Sequence, residues 1–168
     1  MQIFLIVATV FGLSVVGGFA IGFGTGLVVI LIGAVAIVIL GVVLSFIAKR
    51  QVDYIVPVPR GDVAQLIVGE FRKLGWKAVD GRGEFNFRSW GFGLGVAGFG
   101  DFQALGHPVM SIDLEDHPGG GTEVSIWMSE GKSRWGQVGG VDRFLSKRWT
   151  LSRRLAALAA TSDNPAEL

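Results

Sequence analysis

The sequence predicts a two-helix transmembrane hairpin followed by a small cytoplasmic α+β domain, and three observations lead there. Met1 to Ala48 contains no Asp, Glu, Lys, Arg or His. All 15 Lys and Arg and all 14 Asp and Glu follow that block, beginning with Lys49 and Arg50. After the block, short β-patterned runs alternate with two amphipathic helical stretches, the pattern of an antiparallel sheet covered by helices.

Composition narrows the function classes. Half of the 168 residues are hydrophobic, which is high for a soluble domain, and the excess sits in the first 48. The rest is enough for one small domain, expected over residues 49–160, with residues 161–168 as a flexible tail. A net charge of +1 gives no strong pull towards nucleic acid. The absence of cysteine excludes disulfides, thiolate metal sites and cysteine nucleophiles.

The N-terminal block lacks the charged start of a signal peptide and exceeds the roughly 7 to 15 apolar residues of its core, so it is read as retained. A bilayer about 30 Å thick takes roughly 20 residues of helix, so 48 suit two spans. The glycine cluster Gly22 to Gly26 marks the turn, giving spans of about Ile3 to Gly22 and Leu27 to Ala48. Lys49 and Arg50 directly after the second span place both termini in the cytoplasm, by the bias of basic flanks to that side. Ser14, Gly18, Gly22 and Gly26 recur every fourth position. Such a ladder lets helices approach closely, either within the hairpin or against another membrane protein.

The soluble part begins with a strand over Val52 to Val58, followed by a helix opened by Pro59, Gly61 and Asp62, with Asp62 as the expected N-cap. Val63, Leu66, Ile67, Phe71 and Leu74 share one face of that helix, which is expected to stop at Gly75. Trp76 to Val79 and Glu84 to Trp90 form a hairpin around Asp80 to Gly83. His107 to Glu115 and Thr122 to Ser129 form a second, with Met110, Ile112 and Leu114 facing the core opposite Val124, Ile126 and Met128. Ser111, Asp113, Glu115, Glu123 and Ser125 are expected to face away. A glycine-rich connection from Gly131 to Gly140 leads to a closing helix from Asp142 to about Ala160. Its apolar stripe is Phe144, Leu151, Leu155 and Leu158, widened by Leu145, Trp149 and Ala156. About five antiparallel strands with two helices on one face result.

Few features carry chemistry. Gly93, Gly95 and Gly98 satisfy GxGxxG, with Asp113 twenty residues beyond the first, but Gly106 and Pro108 leave no room for the helix that would take a pyrophosphate. The stretch from Trp90 to Phe102 reads better as an apolar contact loop, with Trp90, Phe92, Leu94, Phe99 and Phe102 as its side chains, or as part of the core. His107 and His117 lie ten residues apart on one strand pattern, about 30 Å, too far for joint metal ligation. Lys49, Arg50, Arg143, Lys147, Arg153 and Arg154 form a basic set expected to meet anionic lipid or a partner, and Arg148 belongs to the same basic closing helix. No cofactor, metal or nucleic acid is expected, and no catalytic set is recognisable.

In outline the chain resembles small two-span bacterial membrane proteins that act as accessory subunits of lipid-import machines of the MCE type. The resemblance covers architecture and no motif, so it transfers no residue role; it implies a place in a lipid transport system of the inner membrane. The expected function is thus a non-enzymatic accessory or regulatory subunit of a larger membrane complex, with integral membrane proteins and lipid as partners. The alternatives are a tethered binding module for a lipid or other hydrophobic ligand, and a membrane-associated enzyme using His107, Asp113, Glu115 or His117.

Overall fold

The computed structural model describes residues 2–72, 75–90, 107–134 and 136–162. Two apolar helices come first, α1 (Gln2–Ile21) and α2 (Phe23–Lys49). Among the described residues one helix, α2, is by length and composition long and apolar enough to cross a membrane; α1 contributes a shorter apolar stretch, Thr9–Ile21. The turn between them is tighter than the glycine cluster predicted. Only Gly22 separates the helices, and Gly24 and Gly26 already belong to α2.

The glycines are used for contact instead. A Cβ on Gly18 would lie 3.1 Å from Val29 and 3.2 Å from the Gly26 backbone, while one on Gly26 would strike the Phe19 ring at 2.5 Å. Phe11 presses on Gly33 in the same way. Gly18 beside Gly26 and Phe11 beside Gly33 define one antiparallel register, which sets Gln2 level with Val42. The last seven residues of α2 therefore run about 10 Å past the start of α1, at about 1.5 Å per residue.

The domain follows as β1 (Val52–Val56), α3 (Arg60–Phe71), β2 (Trp76–Ala78), β3 (Phe85–Ser89), β4 (Val109–Asp116), β5 (Thr122–Glu130), β6 (Ser133–Arg134), β7 (Gln137–Val138) and α4 (Val141–Ser162). The main sheet is antiparallel, in the order β1-β5-β4-β3-β2. Met110 pairs with Met128, Ile112 with Ile126 and Leu114 with Val124, as the alternation predicts. These side chains meet Val63, Ile67 and Phe71 of α3 and Phe144, Leu151 and Leu155 of α4 in one core cluster. Phe71 stacks on Phe87 with ring centroids 3.9 Å apart, filling the space between α3 and the sheet.

Several boundaries differ from expectation. Helix α3 starts at Arg60 with Pro59 as N-cap residue, so Asp62 lies inside the first turn and caps nothing with its side chain. It ends at Phe71, and Gly75, at φ 100°, belongs to the connection beyond it. Helix α4 runs to Ser162, taking in the first two residues of the expected tail. The connection after β5 holds the small β6–β7 hairpin, which the sequence reading placed as loop. Ser111 does lie on the polar face, yet it is fully buried. Its hydroxyl sits between the Asn86 carboxamide oxygen at 2.5 Å and Ser129 Oγ at 2.6 Å, under the turn that Gly83 makes with Asn86.

Candidate functional site

The apolar helix does not hand over to the domain through a linker. Its last two turns enter the fold, and Ala48 is part of the core cluster. Ser45, the one polar residue between Leu27 and Ala48, is fully buried there. Its hydroxyl donates to Gly41 O at 2.7 Å and accepts the Val138 N–H at 2.8 Å, fastening β7 to α2. Gly136, in the turn of that hairpin, lies against Val42.

From the opposite side comes Arg148, on the same stripe of α4 as Phe144, Leu151 and Leu155. It donates to Ile47 O at 3.0 Å and to Arg50 O at 2.8 Å, so a side chain 98 and 101 positions away satisfies the carbonyls that end α2. A cation also suits the negative end of that helix dipole. Arg148 is buried, and its removal from water pushes the guanidinium below its ordinary pKa range; it remains protonated at neutral pH. Among the described residues no carboxylate pairs with it.

Beside this junction lies an open groove of about 430 Å³ between the foot of α2, β1 and α4. Leu44, Ile47 and Val52 form an apolar wall, and Arg148, Trp149 and Ser152 face them. Trp149 is 60% exposed, with the Arg153 guanidinium 5.3 Å from its ring centre. Its exposure departs from the expected stripe of α4, which it was to widen; Ala156 is exposed as well.

No protein-family model, curated protein or solved structure matches the chain.

The residues singled out from the sequence fall in several places. Of the small-residue ladder, Gly18 and Gly26 meet inside the hairpin, Gly22 is the break between helices, and Ser14 is exposed with its hydroxyl on Val10 O. Trp90 is half-exposed at the end of β3, where its N–H reaches Gly75 O, its carbonyl takes the Arg143 guanidinium, and Lys77 lies 5.3 Å from its ring. Phe92, Leu94, Phe99 and Phe102, and the glycines Gly93, Gly95 and Gly98, lie outside the described residues.

The basic set divides too. Lys49 and Arg50 are exposed at the foot of α2, and Arg153 is exposed on α4. Arg143 is tied to Trp90. Lys147 is turned inward, donating to Glu70 Oε1 at 3.0 Å and Glu70 O at 2.7 Å, with its amine 4.8 Å from the Phe71 ring centre. Arg154 is largely exposed, 4.0 Å from the other Glu70 oxygen.

The acidic and histidine residues do not assemble. Asp113 accepts the Glu84 N–H at 2.6 Å and so holds a turn. Glu115 sits opposite Glu123 on the sheet, with His117 3.9 Å from Glu123, and His107 lies beyond the far end of β4. No group of His, Asp and Glu fit to hold a metal occurs among the described residues. Asp142 is buried in the first turn of α4, with no hydrogen bond to either carboxylate oxygen; the positive end of the helix dipole supports it there.

Sequence reasoning missed Ser45, and it took Arg148 as one more basic residue of the closing helix rather than as one that turns inward. Each left a signal: a lone hydroxyl in an otherwise apolar span, and a guanidinium at the position of an apolar stripe where Phe144 and Leu151 are its neighbours.

Proposed function

We propose that this chain is a non-enzymatic accessory subunit of a larger membrane assembly, in which the helical hairpin holds the α+β domain at a set angle to the bilayer. The observation that carries this reading is the junction itself: α2 ends inside the domain, under Ser45, Val138 and Arg148. A domain joined this way cannot swing about its anchor, so it offers the same surface to any membrane neighbour. In this reading α1 is the second span: its 20 residues are about 30 Å of helix, the thickness of a hydrocarbon core. Both termini face the cytoplasm, because Lys49 and Arg50 flank α2 and the Gly22 turn carries no charge. The inner membrane of a bacterium is the setting, and the two-span outline fits a regulatory subunit of a lipid transport system of the MCE type.

Affinity purification of the full chain in mild detergent, followed by mass spectrometry, tests the reading. A second integral membrane protein at stoichiometric yield is expected; a lone monomer would sink it. Topology is tested separately, since a cysteine-free chain accepts single labels. A cysteine replacing Thr25 should react only with a reagent added outside the cell, and one replacing Ser125 only after the membrane is opened.

A second reading, a membrane-tethered binding module for a lipid, is favoured by the groove beside Arg148. The interior between sheet and helices is occupied by the Phe71 and Phe87 rings, so the groove at the foot of α2 is the place for a ligand.

A further inference from the structure

The groove's level in the membrane follows from the hairpin. If the 20 residues of α1 cross the hydrocarbon, the core ends near Val42, level with Gln2, and Leu44 and Ile47 stand in the headgroup layer. The groove they line therefore opens among lipid headgroups.

Its chemistry is one-sided. The lining contains one cation, Arg148, and no carboxylate. Asp53, on the adjoining strand, points to the other face of the sheet, where Gln51 and Ser125 hold it. Arg148 spends two of its five N–H donors on the carbonyls of Ile47 and Arg50, leaving three. Arg153, 5.3 Å from the Trp149 ring centre, adds positive charge beside that lining, Lys49 and Arg50 are exposed at the foot of α2, and exposed Trp149 is of the residue type that settles at the headgroup level. The opposite wall of Leu44, Ile47 and Val52 suits the first methylenes of an acyl chain.

We propose that the groove seats the phosphate headgroup of one anionic phospholipid from the leaflet in which α2 ends, with Arg148 and Ser152 as polar contacts and Trp149 as its lid. Bound there, the lipid neutralises a buried guanidinium that pairs with no carboxylate among the described residues. It also presses on α2, β1 and α4 together, so it reinforces the junction that orients the domain. This rests on the membrane-anchored reading above and not on the identity of any protein partner.

The test uses the full chain in mild detergent, titrated with phosphatidylglycerol or phosphatidylcholine and read by native mass spectrometry. One phosphatidylglycerol per chain is expected, at about tenfold higher affinity than phosphatidylcholine, a difference of about 1.4 kcal/mol. Ser152→Glu, which sets a carboxylate in the groove, and Trp149→Ala, which strips an exposed ring, should each weaken phosphatidylglycerol binding about tenfold. Arg88→Gln, on β3 and outside the groove lining, should leave it unchanged. Equal binding of the two lipids, or wild-type affinity in Ser152→Glu, overturns the proposal. Displacement by millimolar inorganic phosphate overturns it in favour of a small-anion site. Alkaline carbonate extraction of the same membranes separates the premises: release of the chain ends anchor and groove together, whereas retention with unselective lipid binding ends the groove alone.

Discussion

Arg148 donates to the carbonyl oxygen of Ile47 at 3.0 Å, joining the middle of the last helix to the end of the apolar one across 101 positions of chain. With the Ser45 and Val138 bond on the other side, it makes the apolar helix and the domain one unit.

Removing that guanidinium leaves the Arg50 carbonyl without its donor and the Ile47 carbonyl with the Arg50 N–H alone, in partly buried surroundings. Arg148→Ala should therefore destabilise the domain by about 2 to 3 kcal/mol, and Ser45→Ala, which orphans the Val138 N–H, by about 1 to 2 kcal/mol. Thermal unfolding of the full chain in detergent measures both. An unchanged melting temperature in both variants would mean that the domain folds independently of α2.

The hairpin depends on bare backbone where its helices cross. Gly18→Leu should part them, because its Cβ already meets Val29 and Gly26, whereas Gly12→Leu and Gly17→Leu meet nothing within 4 Å. In a chain without native cysteine, the pair Phe11→Cys and Gly33→Cys reports the contact through its cross-linking yield. The yield should fall several-fold with Gly18→Leu and hold with the other two.

Two neighbouring glycines separate backbone conformation from contact. Gly120 and Gly121 both have φ near 90°, but only Gly121 would press a Cβ onto the carbonyl of Val56. Gly120→Ala should cost about 1 kcal/mol, and Gly121→Ala at least about 2 kcal/mol more through the added clash. Equal losses in denaturant melts would refute the contact.

Lys147 lies against Glu70 with little of either side chain exposed, 10% and 8%. Lys147→Met should therefore lower stability by at least about 2 kcal/mol, since it leaves a carboxylate in poor solvent contact. Native mass spectrometry of the full chain in detergent should show its phosphatidylglycerol binding unchanged, a result opposite to that of a lipid-facing lysine.

Acid should act on the β1 edge through Asp53. Hydrogen bonds from Gln51, foremost, and Ser125 hold its carboxyl below the ordinary carboxylate range. A folded-state pKa lower than the unfolded one gives stability that is present above about pH 4 and fades as pH falls through the folded value. The group is well exposed, so the effect is small. Melting curves of Asp53→Asn and the parent should run parallel above about pH 5 and converge towards each other in stronger acid.

Much of the fold was legible because its periods are strong. The alternation of Met110, Ile112 and Leu114 against Val124, Ile126 and Met128 gave their pairing, since a slip by one residue would turn every apolar side chain to water. The stripe of Phe144, Leu151 and Leu155 gave α4 its inner face. The β6–β7 hairpin was not legible, as two residues a side show no period. Asp62 misled because a good capping residue followed Pro59, whose fixed φ lets the helix begin one turn sooner. Of the candidate site, Trp149 and the basic residues around it could be named, but not which of them turn inward.

By itself the sequence determined that 48 uncharged residues precede a charged domain, where that block ends, and which residues of the long strands and closing helix share a face. These follow from local composition and from the fixed periods of helix and strand. Only the tertiary structure decided that the ladder of small residues closes the hairpin on itself at Gly18 and Gly26, that Lys147 serves Glu70, and that Arg148 serves the end of α2. A side chain's partner across about a hundred residues depends on how layers stack, and no local pattern records that distance.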